Sequence, residues 1–517
     1  MTLGTEGEAL GKAVESWVGQ LLDEYEYALT YPVRCQKLIR DAVWDSHLFE
    51  DFEIHILDSP VVQRLRNVSQ TSLASYVYPS ATHSRFQHTL GSVIVLDSLL
   101  HAIEQRSSDS ASTADPLLGP EKKRELRMAA LLHDVGHGIF SHSSESYYEH
   151  DTGIEQWKTH LGIPEGTRPH EVMSYLIITS EPFKVFFRQV LLLYKQPTMD
   201  IESIAGLIVG LSGDPLNAYL RDLINGVFDV DKLDYISRDA HSTGLKMVID
   251  LDRIANTMNI AEYVNPSTGD KERRLVMEIA GIPAVEQVIF NKLLLNTSVY
   301  HHHKVRAMNC MLWGLFDMAT EHPGESGNLI LRAPLDFLKA QEVHCLDQEG
   351  TTGCVSEYIN CLANRKLLKR ALVISRHTLG LKTSEEVEGF QLILDEMRDD
   401  PELLRLLRTA LYEECRSSGL SESYGPEYFW FDFPDIPKFK EPSQCLVKHA
   451  DERIGSMNEV FRVDQWSEAY FDNKWKAHVF CPPDIDRDAV GKVAISLLKA
   501  LYKLNVSADG LAQAKHQ

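Results

Sequence analysis

The stretch that decides the fold is Leu131-Leu132-His133-Asp134-Val135-Gly136-His137-Gly138. An adjacent His-Asp pair is costly to bury unless something binds it. Imidazole nitrogen beside carboxylate oxygen suits a divalent cation of intermediate hardness. The pair ends an apolar run, Met128 to Leu132, that reads as the close of a helix over 121–134. Gly136 and Gly138 read as the stop of that helix. Both side chains are therefore expected at a helix end, where a pocket can open. Alone the pair is a two-residue coincidence, and its meaning comes from three further segments.

Arg85-Phe86-Gln87-His88 opens a predicted helix with an apolar face of Leu90, Val93, Leu96, Leu99, Leu100 and Ile103. Gly138–Glu145 carries His142 and Glu145, and Asp229-Val230-Asp231-Lys232 supplies two carboxylates. His88, His133, Asp134 and Asp231 form the expected ligand set, with positions left for water and a phosphate oxygen. Mixed nitrogen and oxygen ligation admits Fe, Mn, Zn, Ni or Mg. Arg85 lies three residues before a ligand and Lys232 directly after one, so both are expected as phosphate clamps. His142 and Glu145 are three apart, so one helical turn sets a carboxylate beside an imidazole. His301-His302-His303 is not read as a second metal site, because helix neighbours point about 100° apart.

The chain has 517 residues, a net charge of −22 and eight scattered cysteines without a CxxC pair. That length predicts several packed units. The acidity opposes a broad nucleic-acid surface but not a small polyanion bound in a local basic pocket. The cysteine pattern suits reduced thiols and a cytoplasmic setting. No apolar run approaches the ~18 residues of a membrane span. The N-terminus lacks the basic flank of a signal peptide. Residues 1–35 read as an N-terminal helical segment, 36–325 as a helical core and 326–517 as a smaller α+β portion, so the fold class is mainly α. Within it, Val61–Ser69 reads as a basic helix behind Pro60. Leu216–Tyr235 and Ile282–Phe316 read as helical stretches, and residues around Asn265–Asp270 as a hairpin turn. Leu368–Ser375 and Lys476–Cys481 alternate like strands.

These motifs together resemble a known family. Asp58-Ser59-Pro60-Val61-Val62-Gln63-Arg64-Leu65-Arg66, His83-Ser84-Arg85-Phe86-Gln87-His88, the HDVGHGIFSH run and Asp229–Tyr235 with Arg238-Asp239 are similar to HD-domain deoxynucleoside triphosphate triphosphohydrolases. The resemblance is clear over 37–310, and no SAM domain is expected before it. It implies hydrolysis of a dNTP to deoxynucleoside and triphosphate, with a second Mg²⁺ arriving on the substrate. It implies that His142 is the acid/base at the scissile phosphate, oriented by Glu145, where the family usually has Asp. His137 and His170 match family histidines near the phosphates. Tyr235 packs where a 2′-hydroxyl would sit, Asp239 bonds the 3′-hydroxyl, and Gln70 is a further sugar contact. His301 stands where vertebrate members have a second sugar-pocket tyrosine, and Leu293 where they have a phosphate-binding arginine.

The resemblance also implies regulation. Lys37, Asp58, Gln63 and Arg66 match positions that hold an activating guanine nucleotide in vertebrate members. Arg253 matches a contact to a second activator, and Arg365 and Lys369 match basic residues given by another subunit. A homo-oligomer, tetramer or dimer, activated by GTP or dNTP is thus implied. The resemblance is compatible with both housekeeping of the dNTP pool and defence against viruses. Two other functions compete: another HD-domain phosphohydrolase, such as a phosphodiesterase, 5′-nucleotidase or exonuclease, and a non-catalytic nucleotide sensor.

Overall fold

The computed structural model describes residues 3–23, 25, 36–109, 118–164, 166–266, 268–327, 329, 331–347, 350–420, 423–434, 444–462, 465–466, 469 and 473–515. The fold is mainly α, with a few small sheets. Cα proximity divides it into two compact units. Unit 1 is Met1–Lys292 with Ala333–Glu342 and Lys440–Val463, and unit 2 is Leu293–Arg332, Val343–Phe439 and Asp464–Gln517.

In unit 1, helix α1 (Thr5–Asp23) buries Val14, Trp17 and Val18. A hairpin follows, β1 (Lys37–Asp41) against β2 (Asp45–Phe49), antiparallel from Lys37↔Phe49 to Asp41↔Asp45. The three helices that build the site are α2 (Arg85–Asp109), α3 (Pro120–Leu132) and α5 (Val230–Thr243), with α4 (Pro169–Thr179) between α3 and α5 in the chain. Val93, Leu96 and Leu99 of α2 are fully buried. Each such side chain contributes roughly 1.5–3 kcal/mol relative to exposure. Helix α2 packs against both α3 and α5. Gly91 permits that approach: a Cβ there would overlap Asp234 and Arg238 of α5. A four-stranded sheet completes unit 1. It is ordered β3 (Met258–Val264), β4 (Lys271–Glu278), β7 (Leu446–Lys448), β8 (Ile454–Ser456), and β4–β7 is its parallel pair. The predicted turn at Asn265–Asp270 joins β3 to β4.

Unit 2 holds α7 (His303–Glu321), α8 (Gly353–Ala363) and a three-stranded antiparallel sheet. That sheet is ordered β5 (Lys369–Ile374), β9 (Ala477–Cys481), β6 (Trp430–Asp432). Helix α9 (Arg487–Tyr502) packs on β5. Leu372, Phe429, Val479, Val490 and Leu498 form the apolar core beneath.

Several expected elements differ. Leu216–Tyr235 is two helices, Ala218–Ile224 and α5, because Gly226 lies against the Asp222 backbone and Asp229 caps a new start by accepting Lys232 N–H at 2.8 Å. Ile282–Phe316 is also interrupted: α6 (Ile282–Leu295) runs into a π turn, Asn296–Tyr300, and His302 caps α7. The basic helix after Pro60 is one α turn, Pro60–Gln63, then a 3₁₀ turn, Arg64–Asn67. Among the cysteines, Cys35 lies outside the described residues.

Candidate metal centre and phosphate site

Helix α3 ends at Leu132, one residue before the His-Asp pair, with His133 as its C-cap. Gly136 and Gly138 do not take left-handed backbone angles; Phe140 (φ 58°) and Ser141 (φ 49°) do. The glycines serve close packing instead. A Cβ at Gly136 would overlap the His170 carbonyl and Ser174, and one at Gly138 would crowd Phe337. Ser174 Oγ donates to the His133 carbonyl at 2.6 Å and accepts Gly136 N–H at 2.8 Å, so α4 fixes the turn carrying the pair.

Two imidazoles face each other across this turn. His88 Nε2 and His133 Nε2 are 3.2 Å apart. Both Nδ1 atoms are already engaged: His88 Nδ1 with Asp234 Oδ2 at 2.7 Å, His133 Nδ1 with the Ala130 carbonyl at 2.8 Å. A carboxylate or carbonyl on Nδ1 fixes the ring and aims the Nε2 lone pair outward, the usual partner arrangement behind a metal-bound histidine. Asp231 Oδ1 lies 2.9 Å from His88 Nε2 and 4.0 Å from His133 Nε2. Ligand atoms of His88, His133 and Asp231 all lie within 4.8 Å of one another. Asp134 lies beside this trio without belonging to it: Oδ2 is 3.7 Å from His88 Nε2 and Oδ1 3.3 Å from His133 Nε2.

The electrostatics favour a cation. Burial disfavours a charged His88 ring, but the bonds to Asp231 and Asp234 outweigh it and raise its pKa to about 10, so without an ion the ring itself holds, on Nε2, the proton that a metal would displace. Burial would raise the Asp134 carboxyl, yet Arg85, His133 and His137 hold it well below its ordinary range. The set therefore concentrates ionised carboxylates around two imidazole nitrogens, which fits a divalent metal.

A second group adjoins it. Glu145 bridges two histidines, His142 Nδ1 at 2.7 Å and His170 Nδ1 at 2.6 Å. His137 stacks on His170 with ring centres 3.8 Å apart, and its Nε2 lies 3.4 Å from Asp134. Burial opposes the Glu145 anion, but His170, His142 and His137 hold its pKa well below normal. Burial, aided by Arg85 and Arg168 and opposed by Glu145, lowers the His142 pKa to about 4, although 49% of the side chain faces solvent. A neutral, partly open imidazole backed by a carboxylate is equipped to move a proton.

Arg85 links the two groups. Its Nη1 is 3.0 Å from Asp134 Oδ2 and its Nε donates to Ser141 Oγ at 2.9 Å. Arg85 Nη2 is buried without a hydrogen-bond partner among the described residues. Gln70 Oε1 is likewise buried and unpaired. Asp239 is buried and lies 2.7 Å from His83 Nε2, while Tyr235, half-buried, shares α5 with it. Lys232 Nζ is held by Asp229 Oδ2 at 2.6 Å and the Gly226 carbonyl at 2.9 Å.

The other expected residues are placed as follows. Lys37 Nζ lies 3.4 Å from Asp58. Arg66 Nε donates to Gln63 Oε1 at 2.7 Å and its guanidinium covers the Phe86 ring. Arg253 donates twice to the Ala280 carbonyl. His301, Leu293, Arg365 and Lys369 belong to unit 2.

In the sequence pattern Asp234 and Arg238 are flanks of the motif without a role. Arg238 binds Asp234 through two bonds of 2.9 Å and reaches Asp41 of β1 at 2.9 Å, while Trp44 Nε1 donates to Asp234 Oδ1 at 2.5 Å. Helical spacing held the signal: Asp234 follows Asp231 by three and precedes Arg238 by four. Glu342 was missed altogether. It accepts Ser69 N–H at 2.8 Å and Phe140 N–H at 2.7 Å, and nothing local in sequence points to it.

Residues 85–239 match the HD domain and residues 249–392 the HD associated region. The deoxynucleoside triphosphate triphosphohydrolase SAMHD1 of Homo sapiens is 25% identical over 319 residues, 59% of this chain and 48% of that protein. The matched portion thus spans about half of that relative. An uncharacterised protein of Mycoplasma genitalium is 24% identical over 86% of this chain and 99% of its own. The crystal structure of a phosphohydrolase from Bacteroides thetaiotaomicron shares the fold, with a TM-score of 0.60 and 19% identity over 86% of this chain and 99% of that one. Among the described residues no helix is long and apolar enough to cross a membrane.

Proposed function

For a chain that carries an HD domain and resembles the SAMHD1 triphosphohydrolases, we propose metal-dependent hydrolysis of dNTP and water to deoxynucleoside and inorganic triphosphate. The observation that carries it is the pair of facing His88 and His133 Nε2 atoms, backed on Nδ1, set beside the His142–Glu145–His170 group.

His88, His133, Asp134 and Asp231 would hold the metal, one of Fe, Mn, Zn, Ni or Mg. When bound, such a cation polarises a phosphoryl oxygen and acidifies water. Arg85 neutralises phosphate charge through its unpaired Nη2, and Lys232 does so on leaving Asp229. The water oxygen bonds to the α-phosphorus as the bond to the 5′-oxygen breaks. The neutral His142, its Nδ1 held by Glu145, takes one proton of that water at Nε2 and passes it to the leaving 5′-oxygen, while the other ends on the triphosphate or in solvent; His137 and His170 complete the phosphate-side wall. Positioning and charge neutralisation supply most of the rate in such transfers. Gln70, Tyr235 and Asp239 take the sugar: the unpaired Gln70 Oε1 and the Asp239 carboxylate accept hydroxyls, and Tyr235 excludes a 2′-hydroxyl. His301 is assigned to the same sugar pocket by the resemblance alone.

Regulation follows the same resemblance. Lys37, Asp58, Gln63 and Arg66 would hold an activating GTP or dNTP, with Arg253, Arg365 and Lys369 completing activator contacts in a homotetramer. In unit 2, burial and then Arg370, His302, Lys304 and Lys476 push His303 down to about 3, a cluster of positive charge in a chain of charge −22. Mass photometry with and without dNTPs tests assembly, and a fully active, unchanging monomer refutes it. Chromatography of each dNTP with Mg²⁺ or Mn²⁺ tests the activity. Inorganic triphosphate is expected; release of a monophosphate or single phosphates assigns a different HD-domain phosphohydrolase, and no turnover leaves a sensor.

A further inference from the structure

Unit 2 contains three metal-type donors of three different kinds that the reaction above does not use. His322 follows the last turn of α7, Glu325 lies in the next turn, and Cys354 is the second residue of α8. One ligand atom from each lies within 4.8 Å of the other two. Backbone bonds fix this meeting: Glu325 N–H donates to the His322 carbonyl at 3.0 Å, and Thr352 N–H to the Glu325 carbonyl at 3.0 Å. Glu325 Oε2 accepts Cys354 N–H at 2.9 Å and lies 3.1 Å from the thiol sulfur. Gly353, at φ +54°, makes room, since a Cβ there would overlap the Glu325 carboxylate. The His322 ring has no hydrogen-bond partner among the described residues and is exposed.

The Glu325 carboxylate bonds the Cys354 thiol, and the charge of Glu427 also acts on it. A dication is drawn by those same carboxylates, and the thiol loses its proton to solvent as the sulfur–metal bond forms. Carboxylate alone would favour Mg²⁺ or Ca²⁺, whereas thiolate with imidazole selects a softer ion. Three protein donors leave a fourth tetrahedral position for water. We propose that His322, Glu325 and Cys354 form a second metal site, for Zn²⁺ or a similarly borderline ion, that ties the end of α7 to the start of α8.

The test uses metal-free full-length protein titrated with Co²⁺. A thiolate ligand gives a near-ultraviolet sulfur-to-cobalt band, which the nitrogen and oxygen donors of the HD site do not produce. The band is expected in the parent, is bleached by Zn²⁺, and is absent in Cys354→Ser, whose zinc content falls by one ion per chain. His322→Ala, which removes a ring without hydrogen bonds, keeps the test decisive if Cys354→Ser does not fold: its Co²⁺ affinity should drop tenfold or more. No band in the parent, an undiminished band in Cys354→Ser, or unchanged affinity in His322→Ala overturns the site. None of these outcomes depends on dNTP hydrolysis, so the two readings fail separately.

Discussion

Glu342 accepts the backbone N–H of Phe140 at 2.7 Å across 202 residues of chain. Phe140 and Ser141 both hold left-handed backbone angles, directly before His142. For residues other than glycine such angles cost roughly 1–3 kcal/mol and persist only where surroundings impose them. Glu342 imposes them here, together with Ser141 Oγ, which donates to the Ser69 carbonyl at 2.5 Å. Glu342→Ala removes the one carboxylate oxygen that accepts both the Ser69 and the Phe140 N–H groups. The expected result is a fall in kcat of about tenfold from a displaced His142, with KM and bound metal unchanged. Parent-like kcat would remove Glu342 from the positioning machinery.

Asp234 orients His88 without facing the metal position itself. Substituting such a partner typically costs about 10–100-fold in metal affinity. Asp234→Asn should therefore weaken metal binding by that order while circular dichroism stays native. Asp231→Ala should remove both metal and turnover. Full metal loading in Asp231→Ala would refute the ligand set.

Tyr235 is the proposed barrier to a 2′-hydroxyl. Steric exclusion of one small group is worth about 1–3 kcal/mol. Tyr235→Ala should raise hydrolysis of GTP relative to dGTP by roughly tenfold or more. An unchanged ratio in a competition assay would place the sugar filter elsewhere.

His478 titrates with a definite sign. Burial, followed by Arg370, His303, Arg306 and Lys476, holds its pKa well below 6.5. Its pairing neighbours on β5 and β6 are Val373 and Asp432, and Arg306 already binds Asp432 at 3.0 Å. The folded protein excludes the proton, while the unfolded chain takes it up below about 6.5. The unfolded state then binds more protons, so stability falls with acid. Between about pH 6 and 5, His478→Gln should lose stability less steeply than the parent, by about 1.4 kcal/mol per pH unit. Parallel pH curves from chemical denaturation would show that His478 protonates freely in the fold.

Much of this was legible in the chain. The apolar face of α2 was readable from Leu90 to Ile103 because helix periodicity is local, and the β3–β4 turn was marked by its Asn, Pro and Gly residues. The proposed ligands were legible because each sits beside a chemically unusual neighbour, His133 beside Asp134 and Asp231 beside Lys232. Positions where tertiary packing overrides local pattern were not. Gly136 and Gly138 read as helix stops, but their role is to let α4 and Phe337 approach. The break at Gly226 was hidden because apolar residues continue on both sides of it. Asp41, Trp44 and Glu342 reach the site from remote segments, and periodicity carries no information about them.

The Ser69–Glu342–Phe140 clasp also bears on the order of synthesis. A ribosome that has released the chain through residue 239 has made every proposed metal ligand and His142, but not Glu342. Such a nascent chain would have its ligands in hand while the loop before His142 still lacked the carboxylate that bends it. Binding of metal and competence for turnover would then be acquired at separate moments, with more than a hundred residues of translation between them.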